Sequence, residues 1–167
     1  MRLRLILVCA LIAAEVAAAD QAPKLEVAVP DQLSISNSVA SEMTNYRGPD
    51  GEYWLLVTMQ GQGEFADQAK IQTMQEQVDV EFRRRAELYV KARAPYRIEK
   101  VAISDSGVLL LFASQEYRDG KQYSLLEFHS FWSAGVQVKG QIQWPGALEP
   151  KVDNYVDRLR SMRVRGR

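Results

Sequence analysis

The stretch VLLLFASQEYRDGKQYSLLEFHSFWSAGVQVKGQIQW, residues 108–144, has the pattern of three strands joined by two short turns. The dipeptide Asp119-Gly120 is among the strongest sequence signals for a two-residue hairpin loop. A second loop of three residues is predicted to end at Gly135, in the left-handed conformation that glycine adopts without strain. Because turn positions fix the register of antiparallel strands, the partner of each side chain can be predicted from these two loops.

This register places Phe112 opposite Glu127 and Leu110 opposite His129. One face of the three strands then collects apolar side chains, and we expect it to form the core: Leu109, Leu111, Ala113, Leu126, Phe128, Trp132, Val136, Val138 and Ile142. The opposite face combines Leu125 and Phe131 with polar side chains of the last two strands.

Four of those polar residues form a candidate binding face: Glu127, His129, Lys139 and Gln141. His129 is the only histidine of the chain, and a neighbouring Glu127 or Lys139 would adjust its protonation. The alternative interpretation is a solvated sheet face with ordinary cross-strand pairs, because residues two apart on a strand are neighbours by geometry alone. We expect no catalysis from this face.

Two amphipathic helices accompany the strands. The first is predicted from the N-cap Asp67 to Lys91 and has an apolar stripe at three- and four-residue steps: Ile71, Met74, Val78, Phe82, Ala86 and Tyr89. The second begins at Pro150, and its stripe comprises Val152, Tyr155, Val156, Leu159 and Met162.

Further strands are predicted over residues 25–29, 32–36 and 52–60. The last of these is apolar on both faces, so we expect it to be covered on both sides. Antiparallel strands with segregated helices predict an α+β domain. In this domain the two helices would cover the two faces of one sheet.

The first twenty residues have the pattern of a secretory signal peptide. Two arginines precede a short apolar run, and Ala17 and Ala19 supply the A-x-A motif that places cleavage between Ala19 and Asp20. The run is shorter than the roughly 20 residues of a spanning helix, although an uncleaved anchor is an alternative. We therefore expect a periplasmic or secreted protein with a signal peptide at 1–19, a linker at 20–24, one domain at 25–164 and a basic tail at 165–167.

The composition argues against several function classes. Basic and acidic residues are equal at 21 each, so we expect no nucleic-acid partner. Cys9 is the only cysteine and lies in the predicted leader, so the mature domain would contain no disulfide and no cysteine nucleophile. With one histidine, no calcium-loop pattern and no G-x-S-x-G motif, we expect no metal, no cofactor and no enzyme activity.

The C-terminal end is rich in arginine: Arg158, Arg160, Arg163, Arg165 and Arg167. No acidic residue follows Asp157. Such a segment is a candidate docking tail for an acidic protein or for peripheral contact with anionic lipid. The alternative is favourable charge at a helix C-terminus followed by a solvated tail.

Parts of the chain resemble the PsbP-like superfold, which includes the periplasmic DcrB-like proteins. The opening LEVAVPDQLSIS is similar to that family's first strand, proline turn and second strand, and the closing KVDNYVDRLRSMRV is similar to its terminal helix. A long helix before a strand meander also matches. The resemblance implies an α/β/α sandwich and a non-enzymatic role in binding or assisting other proteins.

We therefore expect an exported, non-enzymatic domain that binds or assists a protein partner. An immunity protein or inhibitor that neutralises an effector would be a special case. The alternative is a small-ligand binder or hydrolase that uses Glu127, His129 and Lys139. A deep pocket converging on His129 would favour that alternative, whereas a flat or helix-covered face would not.

Overall fold

The computed structural model describes residues 25–28, 34–40, 43–60, 67–133 and 135–166. The predicted signal peptide, its cleavage site at Ala19–Asp20 and the linker lie outside these residues. No helix among the described residues is long and apolar enough to cross a membrane. The elements are, in chain order, β1 (Leu25–Ala28), β2 (Ser34–Ala40), β3 (Met43–Arg47), β4 (Tyr53–Gln60), α1 (Gln68–Ala92), β5 (Tyr96–Ile103), β6 (Gly107–Arg118), β7 (Lys121–Phe131), β8 (Val136–Pro145), α2 (Lys151–Arg160) and β9 (Arg163–Gly166).

Seven of these strands form one antiparallel sheet in the order β2-β3-β4-β8-β7-β6-β5. The strands β1 and β9 pair with each other in a separate two-stranded sheet. A helix packs on each face of the large sheet, which confirms the predicted α+β class and its α/β/α layers. The described edges of the large sheet are β2 and β5.

The two turns set the register of β6, β7 and β8 as predicted. Asp119 and Gly120 have φ values of 52° and 72°, the left-handed pair that a tight hairpin needs. Leu110 lies opposite His129 in the resulting ladder. Gly135 has φ 75° and closes the second loop, which brings Ser130 of β7 opposite Val138 of β8.

The face of the sheet beneath α2 holds the larger core. All nine apolar residues predicted for this face belong to it, and so do the three tryptophans. The α2 stripe closes the core with Val152, Tyr155, Val156 and Leu159, all buried. Gly140 is required here, because an added Cβ would lie 2.2 Å from the carbonyl oxygen of Leu55.

The helix α1 covers only part of the opposite face. The carboxylate of Asp67 accepts a hydrogen bond from the amide of Ala69 at 2.9 Å, so the predicted N-cap is confirmed. The predicted apolar stripe packs on β5, β6 and β7. Leu55 and Val57 of β4 remain half-buried, so the expectation that this strand is covered on both sides is wrong for this face.

Three features of the fold differ from the sequence interpretation. The described part of the predicted strand at 32–36 lies within β2, which continues to Ala40, and β3 follows where no strand was expected. Residues 163–166 also form a strand after α2, since β9 pairs with β1 and places Arg165 opposite Glu26. Each of these elements is short, and each depends on a partner strand rather than on a strong pattern of its own.

Candidate functional site

The four residues of the predicted binding face lie together in the structure. They line a shallow cleft of about 170 Å³ whose remaining walls come from β4 and from Gly140. Two cross-strand rows build the cleft: Glu127, Gln141 and Leu55 in one, and His129, Lys139 and Val57 in the other. The register predicted from the two turns therefore brings these side chains together on three adjacent strands of the sheet.

The two halves of this face differ in exposure. The side chains of Glu127 and His129 are only 24% and 18% exposed, because α1 lies over β7. Lys139 and Gln141 of β8 are exposed. The interpretation of a fully solvated face is therefore wrong for Glu127 and His129, since both lie at the margin of the helix.

Glu127 links the sheet to α1 through an ion pair. Arg85 of the helix donates a hydrogen bond from Nη1 to Oε2 of Glu127 at 2.7 Å. The same guanidinium lies 4.5 Å from the centre of the Phe112 ring. The pKa of the Glu127 carboxyl is lowered by His129, whose Nε2 lies 3.9 Å away, and by Arg85, against the opposing effect of burial.

His129 is held by packing rather than directed toward a reacting group. Its ring meets Phe82 of α1 edge-on at 5.8 Å and lies nearly parallel to the Phe131 ring at 6.3 Å. The Gln137 amide nitrogen lies 3.3 Å from its Nδ1. The described walls of the cleft include no serine, threonine or cysteine that this histidine could activate.

At the cleft, β4 contributes a half-buried apolar strip. We call the surface formed by Tyr53, Leu55, Val57, Lys139 and Gln141 the open half of the sheet. Tyr53 is fixed at one end, because its hydroxyl donates to Oδ1 of Asn45. The open half is thus a rigid, two-stranded surface with an aliphatic centre and a polar side.

The predicted docking tail is not a continuous free surface. Arg158 donates from Nη1 to Oε1 of Glu52 at 2.5 Å, and the Glu52 side chain is fully buried. The expectation that the arginines lack balancing acids is therefore wrong for Arg158, because its partner lies 106 residues earlier in the chain. Oε2 of Glu52 also accepts a hydrogen bond from the amide of Asp50 at 3.0 Å, so this carboxylate joins the β3–β4 turn to α2.

The other arginines of this end have different surroundings. Arg160 lies 3.5 Å from a carboxylate oxygen of Asp157, and its backbone carbonyl accepts from Arg163 at 2.9 Å. Arg165 belongs to β9. Arg167 lies outside the described residues. The docking role of this end therefore stays a prediction.

Sequence reasoning missed Glu52 as a structural residue. It follows the turn residue Gly51, where an acidic side chain is ordinarily solvated. Burial of Tyr155, together with the nearby Glu52 charge, raises the pKa of its phenol to about 12. Glu52, Tyr155 and Arg158 come together because α2 packs over the turn, and no local sequence pattern indicates that packing.

Among the described residues, no group of three or more His, Cys, Asp or Glu side chains is arranged to hold a metal ion.

The chain resembles several solved structures at very low sequence identity. A crystal structure from Bacteroides thetaiotaomicron aligns with a TM-score of 0.54 and 8% identity over 84% of this chain and 45% of that chain. The Ran-binding protein Mog1p of Saccharomyces cerevisiae aligns with a TM-score of 0.37 and 8% identity over 82% of this chain and 85% of the yeast chain. LpqN of Mycobacterium tuberculosis, involved in cell envelope biogenesis, aligns with a TM-score of 0.41 and 10% identity over 86% and 84%.

These likenesses concern the fold alone. This chain spans less than half the length of the Bacteroides chain that it matches. No protein-family model and no curated protein matches the sequence.

Proposed function

We propose that this chain is an exported, non-enzymatic domain that binds a polypeptide partner through the open half of its sheet. The observation that carries the proposal is the incomplete cover of one sheet face. The helix α1 packs on β5, β6 and β7, while Leu55 and Val57 stay half-buried beside the exposed Lys139 and Gln141. We also propose that the domain belongs to the PsbP-like superfold, which the order of its strands and helices supports.

The composition of the open half suits a protein partner. An aliphatic centre with a polar and charged border is the usual arrangement of a protein interface, in which the apolar part is buried and the rim stays solvated. The surface is also pre-organised, since all of its side chains stand on paired strands of one sheet. Little conformational entropy would be lost when a partner binds.

The same geometry gives less support to a small-ligand site or a hydrolase. Ligand pockets enclose about 300–1,000 Å³, whereas the cleft at His129 holds about 170 Å³. Its two ionisable groups on β7 are already engaged, Glu127 with Arg85 and His129 with the rings of Phe82 and Phe131. The face is shallow and partly covered by a helix, which is the arrangement that argues against the ligand-binding alternative.

Site-specific photo-crosslinking in cells of the source organism tests the proposal. A photoreactive residue replacing Gln141 is expected to give a discrete protein adduct, because this exposed position lies directly beside Leu55 in the aliphatic centre of the proposed interface. The same residue at Val80, which is 65% exposed on α1, is the control and is expected to give none.

Adding Lys139→Glu to the Gln141 crosslinking variant sharpens the result. Reversal of this charge should remove the adduct and leave the fold intact, because the Lys139 side chain is exposed. Equal adducts at positions 141 and 80, or the absence of any adduct at 141, would rule out the open half as the interface.

A further inference from the structure

The second feature of interest lies on the other side of α1, at the free edge of the large sheet. Among the described strands, β5 pairs only with β6. Its outer edge therefore presents backbone N–H and C=O groups that another extended chain could pair with. Eight residues, Tyr96–Ile103, form this edge.

A groove runs beside that edge on the α1 side. It measures about 480 Å³, its apolar walls are Ala86, Val90, Tyr96 and Ile98, and the charged side chains of Arg83, Glu87 and Lys91 complete its lining. Val90 is 58% exposed and Tyr96 is 37% exposed, which places two of the large exposed hydrophobic residues of the described chain in one groove. Apolar side chains that entered this groove would therefore remove additional apolar surface from water.

The opposite side of the same edge is acidic. Arg97 of β5 is surrounded by three carboxylates, those of Glu99, Glu149 and Asp153. The Asp153 oxygen lies 2.7 Å from Nη1 of Arg97 and the Glu149 oxygen lies 3.3 Å away. One guanidinium thus faces three carboxylates, so the local charge is negative. The side chains of Glu149 and Asp153 are more than half exposed.

These observations together define the occupant. Successive side chains of a strand point to opposite faces of its sheet, so a strand added to β5 would point alternate residues into the groove and toward the carboxylates. We infer that the β5 edge binds an extended peptide segment in which apolar and basic residues alternate. This surface is separate from the open half, so the inference does not depend on the proposed function.

The binding mode is β-strand addition. Backbone hydrogen bonds to β5 would supply affinity regardless of sequence, and the two different faces would supply specificity. The apolar residues would contact Val90, Tyr96 and Ile98, while the basic residues would pair with Glu99, Glu149 and Asp153.

A synthetic peptide provides the test. A capped eight-residue peptide that alternates valine and lysine is titrated into the ¹⁵N-labelled protein, and amide shifts and amide exchange are followed by NMR. Shifts and slowed exchange are expected along β5, with shifts at Val90 on α1. A peptide of the same composition with four valines followed by four lysines is expected to bind at least about tenfold more weakly, a loss of about 1.4 kcal/mol.

Matched substitutions on the helix complete the test. Val90→Asp is expected to weaken binding of the alternating peptide by about tenfold, a loss of about 1.4 kcal/mol, whereas Val80→Asp, at a similarly exposed position away from the groove, should leave it unchanged. Circular dichroism establishes that both variants are folded.

Several outcomes would overturn the inference. Equal binding of the block peptide would indicate simple charge attraction. Equal weakening by both aspartate variants would exclude the groove. Shifts confined to β2 or to the open half would assign the peptide to a different surface, and the absence of binding by the alternating peptide would remove the site altogether.

Discussion

The two faces of the large sheet are covered by helices of very different length, and the shorter helix makes the more complete cover. The ten-residue α2 buries Val152, Tyr155, Val156 and Leu159 over the tryptophan-containing core. The 25-residue α1 buries only Ile71, Phe82 and Ala86 of its own side chains and leaves β4 and β8 partly open.

An arginine–glutamate pair joins each helix to the sheet layer, and the two pairs differ in the same way. Arg158–Glu52 on the α2 side has a fully buried carboxylate, whereas Arg85–Glu127 on the α1 side is about one quarter exposed on both partners. The comparison separates a face that its helix closes from a face that its helix leaves partly open. The same pair of residue types links each helix to the sheet layer, and the burial of the carboxylate distinguishes the two pairs.

The largest expected effect lies on the α2 side. Arg158→Met leaves the buried Glu52 carboxylate without its cation and should lower the free energy of unfolding by about 3–5 kcal/mol. Glu52→Gln leaves the partly exposed Arg158 without its anion and should lower it by less. Urea unfolding measures the change. The double variant should recover most of the loss, because no charge is then left unpaired. An Arg158→Met variant within about 1 kcal/mol of the unsubstituted protein would contradict the distinction between the two faces.

The α2 side should also be sensitive to alkaline pH. The pKa of Tyr155 is raised to about 12 in the folded protein, above the unfolded value of about 10. Its contribution to stability is therefore fully present below about pH 10 and is lost as the pH rises toward 12, a loss on the order of 2 kcal/mol.

Comparison of Tyr155→Phe with Tyr117→Phe isolates this effect. Tyr117 is 70% exposed, so its replacement should leave the alkaline loss of stability unchanged, whereas Tyr155→Phe should make the loss smaller. Identical alkaline profiles for the two variants would show that the buried phenol has no such role.

The smallest effect is expected on the α1 side, at acidic pH. The pKa of Glu127 is lowered in the folded protein, so its contribution to stability is present above the unfolded value of about 4.3 and is lost as the pH falls through the lower folded value. Glu127→Gln should flatten the acid limb of a stability–pH profile, and Arg85→Met should flatten it as well. A profile for Glu127→Gln that runs parallel to that of the unsubstituted protein would show that the pair contributes nothing.

How well each element of this fold can be predicted depends on the sequence separation between the residues that specify it. The dipeptide Asp119-Gly120 and the loop ending at Gly135 determine the register of β6, β7 and β8 within a few residues of sequence. That register placed Glu127 beside His129 and both beside β8, so the candidate site could be predicted. Likewise, the helix stripes repeat over many residues and produce a strong signal.

The remaining features depend on contacts that are distant in sequence. The extent to which α1 covers β7 depends on how the helix lies on the sheet, and alternation alone could not distinguish a covered His129 from a solvated one. Glu52 finds its partner Arg158 only after α2 has packed. The short strand β3 is defined by its neighbours in the sheet, which local propensity does not reveal.

The pairing of β1 with β9 has a consequence for the order in which the domain can be made. Residues 25–28 are synthesised before every other described element, whereas their partner strand, residues 163–166, follows all of the others. The small sheet therefore cannot close until the described strands of the large sheet and the helices α1 and α2 have been made. The strand pairing of largest sequence separation in the described fold is therefore also the last that the order of synthesis permits.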